Sequence, residues 1–148
     1  MRPPRRRDKN RHEIFCRCAS PDGVDVCDGG RLVVGLRHGG QFARFDPVVA
    51  QYNNSGELFR IEGHCQSACT LFLGIKNVCV EPNAQLLFHA GHDRARNITA
   101  KSTNHMLAAY KPGLRQYLVS NHHMDTLAFH TISGQELISK FGYNACPR

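Results

Sequence analysis

No apolar run in this 148-residue sequence approaches the ~18–20 residues that a helical membrane span requires, so that element is not expected here. No apolar stretch follows the Arg-rich start, so no secretory leader is legible there. The chain lacks a second Cys-x-x-Cys to set beside the loosely spaced Cys65 and Cys69, which weakens a zinc site built on those two and a histidine. The body has no basic stripe interleaved with aromatics, and specific nucleic-acid binding is not expected. Nothing reads as an ATP or nucleotide-cofactor site; no cofactor and no metal are expected. There is no internal repeat.

What is present fits one soluble domain, with 41% hydrophobic and 21% charged residues. The net charge of +7 sits mostly at the start: residues 1–11 carry six basic side chains against Asp8, which leaves little excess in the rest. Residues 1–13 read as a basic, disordered tail and 14–148 as a single domain. Seven cysteines are many for this length. They suggest disulfides and an exported protein, periplasmic or secreted, while the missing leader keeps a cytoplasmic protein open. A misplaced start or a lost leader would reconcile the two signals.

Short apolar runs mark strands at 31–36, 58–62, 78–80 and 85–89. Asp46-Pro47 reads as a helix start, with Asp46 as N-cap, and Gly56 as its stop. Residues 67–73 read as a buried helix, and 91–102 as a polar loop. A helical stripe from Met106 to Leu118 must break or kink at Pro112. Ser133-Gly134-Gln135-Glu136 is a capping box for a last helix that Gly142 closes. Strands alternating with short helices make an α/β domain.

The chemistry centres on Gly63-His64-Cys65-Gln66-Ser67-Ala68-Cys69. A glycine turn delivers Ser67 to the start of an apolar helix, where free N–H groups face any developing oxyanion. His89, at a strand end beside Ala90 and Gly91, is the candidate base. Gly39-Gly40 lets backbone approach a substrate where a side chain would block it. Taken singly, Ser67 is more simply a helix N-cap, His89 a polar strand end and Gly39-Gly40 a turn; their order together favours a site. Cys65, Cys69 and Cys79 are disulfide candidates, as Cys69–Cys79 or Cys65–Cys79. A cysteine nucleophile at 65 or 69 ranks low. His64 and His92 are candidates for the mouth of the site, and His122-His123 reads as exposed loop.

This order of Gly-Gly, Gly-x-x-x-Ser and Leu87-Phe88-His89 resembles the Clp proteolytic subunits of the Clp/crotonase superfamily. The Cys65–Leu71, Cys79–Ala84 and Phe88–Ala90 elements resemble more closely a group of periplasmic alphaproteobacterial proteins of that fold. The resemblance spans roughly 31–148, with the family's first strand-helix region abbreviated. It implies a serine hydrolase, peptidase-like, acting on a peptide or acyl substrate, and self-association. It implies Ser67 as nucleophile, His89 as base, and the N–H groups of Gly40 and Ala68 as oxyanion hole. The family's acid would fall near His130-Thr131, where none stands; Asp125 is the nearest carboxylate upstream. That gap leaves two other readings: a catalytically silent partner-binding protein of the envelope, or a disulfide- or metal-stabilised structural protein.

Overall fold

A computed structural model describes residues 36–148. The basic tail, the first three cysteines and nearly all of the strand expected at 31–36 lie outside these residues.

The described chain is mixed α/β, with two three-stranded sheets and four α-helices among the described residues. Helix α1 (Asp46–Ser55) leads into β1 (Phe59–Ile61) and β2 (His64–Gln66), with the turn at Gly63 between the strands. A buried 3-10 helix, Ser67–Gly74, follows, then β3 (Val78–Val80) and β4 (Gln85–Phe88). Helices α2 (Ala100–Ala108) and α3 (Pro112–Ser120), strand β5 (His130–Ser133), helix α4 (Gly134–Phe141) and strand β6 (Asn144–Ala145) complete it.

One sheet has the order β1-β3-β6, all parallel, with β3 central. Its all-apolar Val78-Cys79-Val80 is buried at every position, as a strand covered on both faces must be. The other has the order β2-β4-β5, with β4 parallel to β2 and antiparallel to β5. Phe45, Phe59 and Phe72 pack ring on ring in the core, with Tyr52 edge-on to Phe59. Burying each such side chain contributes about 1.5–3 kcal/mol.

Several expected boundaries shift. Asp46 is not an N-cap but the first residue of α1. The preceding 3-10 turn (Phe42–Arg44) already brings Phe45 into helical conformation, so the cap falls one residue earlier. Asp46 still supplies first-turn negative charge, and accepts a hydrogen bond from His105 Nε2 at 2.9 Å. Pro112 separates two helices rather than kinking one, and takes the first position of α3. The loop after Gly91 ends at Thr99, whose hydroxyl accepts from the N–H of Ser102 and so starts α2. The capping box stands as read: Ser133 Oγ accepts from Glu136 N, and Glu136 accepts from Ser133 N.

The cysteines pair differently from either expected scheme. Cys65 bonds Cys69, and Cys79 bonds Cys146. Cys79 faces the last strand because β6 lies beside β3 in register, with Cys79 opposite Asn144. Cys65 and Cys69 close a loop around Ser67 because the tight 3-10 helix folds back on the end of β2, leaving their Cα atoms 5.3 Å apart. Disulfide-bonded cysteines, and no helix among the described residues long and apolar enough to cross a membrane, are compatible with an extracellular or periplasmic protein.

Candidate active site

Strands β2 and β4 are parallel neighbours paired Gln66 to Leu87, so their carboxyl ends lie on one edge. Ser67 is the first residue after β2 and His89 the first after β4. Neighbouring strands run about 5 Å apart, which brings the two residues together at the edge where α/β proteins bind ligands. Both line one cavity of about 810 Å³, a volume suited to a small ligand or short peptide.

Ser67 adopts φ +57°, the left-handed region that a non-glycine residue enters at a cost of about 1–2 kcal/mol. Its hydroxyl caps no helix: the N-cap position is Gln66, and among the described residues Ser67 Oγ makes no hydrogen bond. Two features hold the turn. The Cys65–Cys69 bridge closes it from both sides. Beneath it, Thr70 Oγ1 donates to the carbonyl of Ser67 at 2.7 Å. That uses the single proton of Thr70, so the buried Tyr110 hydroxyl must be the donor in its 2.6 Å contact with Thr70 Oγ1. Burial pushes the Tyr110 hydroxyl far above its ordinary pKa, so it keeps the proton it donates.

Gly39 abuts the serine. A Cβ there would lie 2.7 Å from Ser67 Cβ, and its φ of +81° also favours glycine. The Gly-Gly loop is pinned to β2 by Gln66, whose N–H donates to Arg37 O and whose Nε2 donates to His38 O. Gln66 Oε1 then accepts from His64 Nε2 at 2.7 Å, which employs His64 in holding the loop. His64 is not a wall of the cavity; His92 is, with its ring stacked 5.8 Å from that of His89.

His89 is buried, and its Nδ1 lies 2.5 Å from the carbonyl oxygen of Ala90. A carbonyl only accepts, so Nδ1 carries the proton and the neutral ring presents the lone pair of Nε2. Burial holds the imidazole below its ordinary pKa; the Ala90 carbonyl opposes this, and the charges of His92 and Arg96 add to it. The ring is therefore neutral near pH 7, the state a general base needs. Phe129 stands edge-on to it at 5.3 Å.

The oxyanion candidates separate. Gly40 lines the cavity, whereas Ala68 is fully buried and is not part of its wall. Ala68 nevertheless holds the second helical position, where N–H groups lack an intrahelical partner. Asp125 is not brought to His89. Its carboxylate is exposed and pairs with His122 Nδ1 at 2.8 Å, while the same turn offers the carbonyl of Thr126 to the N–H of Ala90. The place of an orienting acid at His89 Nδ1 is taken by a backbone carbonyl. Among the described residues no hydrogen bond joins Ser67 Oγ to His89, and no cluster of three metal-ligating side chains is present.

The sequence reading missed the Tyr110–Thr70–Ser67 chain, the Ala90 acceptor, and the cavity residues Arg94, Arg96 and Phe129. A lone polar Thr70 inside the apolar run 68–73 was the one available signal for the first. No family model, curated protein or solved structure matches this chain.

Proposed function

We propose that this chain is a serine hydrolase, peptidase-like, working by acyl transfer on a Clp/crotonase type of fold outside the cytoplasm. The observation that carries the reading is Ser67. It sits at φ +57° on a strand-to-helix turn, with an uncommitted hydroxyl, in the same cavity as a neutral His89 whose Nε2 is free to accept. A non-glycine residue held in a sparsely populated conformation at the wall of a cavity supports a functional reading, because such strain clusters at active sites. The turn has the layout of a nucleophile elbow without its usual glycines.

Ser67 Oγ attacks the substrate carbonyl and its proton passes to His89 Nε2. The N–H groups of Gly40 and Ala68 receive the oxyanion. His89 returns the proton to the leaving group, and water repeats the sequence to free the acid. A base in this role contributes about 10²–10⁴-fold, and a donor to the oxyanion about 10²–10³-fold. The hydrogen bond from Ser67 to His89, not made in the free protein, forms on substrate binding, as catalytic hydrogen bonds often tighten only in the complex.

The test is intact-mass labelling with a fluorophosphonate. Wild type is expected to take one adduct, Ser67→Ala none, and His89→Gln to label at least 100-fold more slowly. A folded wild type that takes no adduct would overturn the reading. That result would favour a catalytically silent binding protein, the alternative supported by Asp125 lying elsewhere and by the unbonded Ser67–His89 pair.

A further inference from the structure

The cavity has one charged rim that the acyl-transfer steps do not use. Residues 92–98 form a tight excursion closed by an antiparallel bridge between His92 and Ile98. Inside it, Asp93 N donates to Asn97 O and Arg96 N to Asp93 O, at 2.9 and 3.0 Å. Arg96 takes the left-handed conformation at the turn, with φ +64°. The base of the loop is fastened to the site, since Thr99 N donates to Gly91 O and Gly91 N donates to Thr103 Oγ1. Gly91 is required there: a Cβ would fall 2.3 Å from the backbone carbon of Ser102 in α2.

This loop sets Arg94 and Arg96 on the cavity wall. Both are exposed, and among the described residues neither guanidinium has a hydrogen bond or an ion pair. The one acid of the loop, Asp93, also lines the cavity, and its oxygens are turned to Asn97: Oδ1 accepts from Asn97 N and Oδ2 from Asn97 Nδ2. Those bonds hold its carboxyl below the usual range, so it stays ionised and engaged within the loop. Arg96 lines the same cavity as His89 and Ser67. Other parts of the wall are apolar, supplied by Phe42, Met106, Leu127 and Phe129.

Two guanidiniums against the single Asp93 carboxylate leave the ordered rim with a net positive charge, which suits a planar anion that a guanidinium can grip with two bonds. We propose that the cavity selects a short acidic peptide, with Arg94 and Arg96 holding a carboxylate and the apolar wall holding a neighbouring side chain. This specificity rests on the reading of Ser67 as an acyl-transfer nucleophile. The carboxylate is either a glutamate or aspartate side chain or the peptide's own C-terminus.

The experiment separates binding from catalysis by using the Ser67→Ala protein and fluorescence anisotropy. Fluorescein-labelled hexapeptides carry one glutamate at each position in turn, with glutamine counterparts, each made with a free and with an amidated C-terminus. The acidic member of a pair is expected to bind about tenfold more tightly, the contribution of one charged hydrogen-bonded contact. The preference should fall to about onefold in Arg94→Ala/Arg96→Ala, and weaken with salt. A glutamate-over-glutamine effect assigns the side chain, and a free-over-amidated effect the C-terminus. Equal binding of all pairs, no binding, or a preference that survives the double substitution would overturn the proposal. Fluorophosphonate labelling of wild type reports separately on Ser67, so an acidic preference without labelling sinks the hydrolase reading alone.

Discussion

Ser67 carries the sharpest physical statement in the molecule, because its backbone cost can be measured apart from its chemistry. At φ +57° a Cβ meets the following carbonyl, at about 1–2 kcal/mol, while glycine has no such cost and loses more entropy on folding. Ser67→Gly is therefore expected to be more stable than Ser67→Ala by about 1 kcal/mol in urea unfolding, with both unreactive. Equal stability, or a more stable Ala variant, would show that the turn is unstrained. The sequence made Ser67 visible through its glycine turn and the apolar run behind it, but left its role between cap and nucleophile. The structure removes the cap reading, because the cap position falls on Gln66. His89 was legible as a strand end; its tautomer was not, since the acceptor is the carbonyl of the next residue and any residue type would have supplied one. Asp125 is the nearest carboxylate upstream of the expected slot, and its pairing with His122 is a three-residue local contact that this sequence position does not reveal.

At the scale of elements, the two bridges do different work. The Cys79–Cys146 link spans 67 positions and ties β3 to the chain's last strand. Loop closure on that length restrains the unfolded chain by about 4 kcal/mol, against about 2 kcal/mol for the four-position Cys65–Cys69 link. Replacing Cys79 and Cys146 together by Ala is expected to lower unfolding free energy by about 4 kcal/mol and to leave serine labelling unchanged while the protein remains folded. Replacing Cys65 and Cys69 should cost about half as much and slow labelling strongly, because the turn around Ser67 is then held only by the Thr70 bond. Urea melts and labelling rates check both; equal losses, or full reactivity without Cys65–Cys69, would contradict the division. The elements themselves were legible where pattern was strong: β3 as an unbroken apolar run, α4 by its capping box, α1 by its glycine stop. Strands β2, β5 and β6 were not. Each is two to four residues long, polar or mixed, and exists only because a neighbour offers it a ladder. The site depends on one of these, since β2 is what aligns Ser67 with the end of β4.

For the whole molecule, burial of histidines ties stability to the same proton as the proposed chemistry. His89 and His130 are both held below the ordinary value of 6.5, chiefly by burial. His130 also stacks on His123 at 3.4 Å, so a charge on one opposes a charge on the other, while Glu136 pulls the other way. Above about pH 7 both rings are neutral, folded or unfolded, and contribute no pH dependence. As the pH falls through 6.5 the unfolded chain takes up protons that the folded chain refuses, so stability must fall. The loss stops growing once the pH has passed the lower folded values. Asp93 and Glu136, held below the usual carboxylate range by hydrogen bonds from Asn97 and Ser133, lose their contribution only at lower pH. Urea midpoints are thus expected to be level from pH 8 to 7 and to decline from 6.5 downward, with a shallower decline in His89→Gln. The acid limb of serine reactivity should lie below the 6.5 of an ordinary histidine and vanish in that variant. Midpoints that rise on acidification would mean that His89 and His130 are stabilised as cations. A reactivity limb at or above 6.5 would mean that the group titrating is not the buried His89. The two profiles together tie one buried ring to both quantities, because no other described histidine is at once as buried and in the cavity with Ser67.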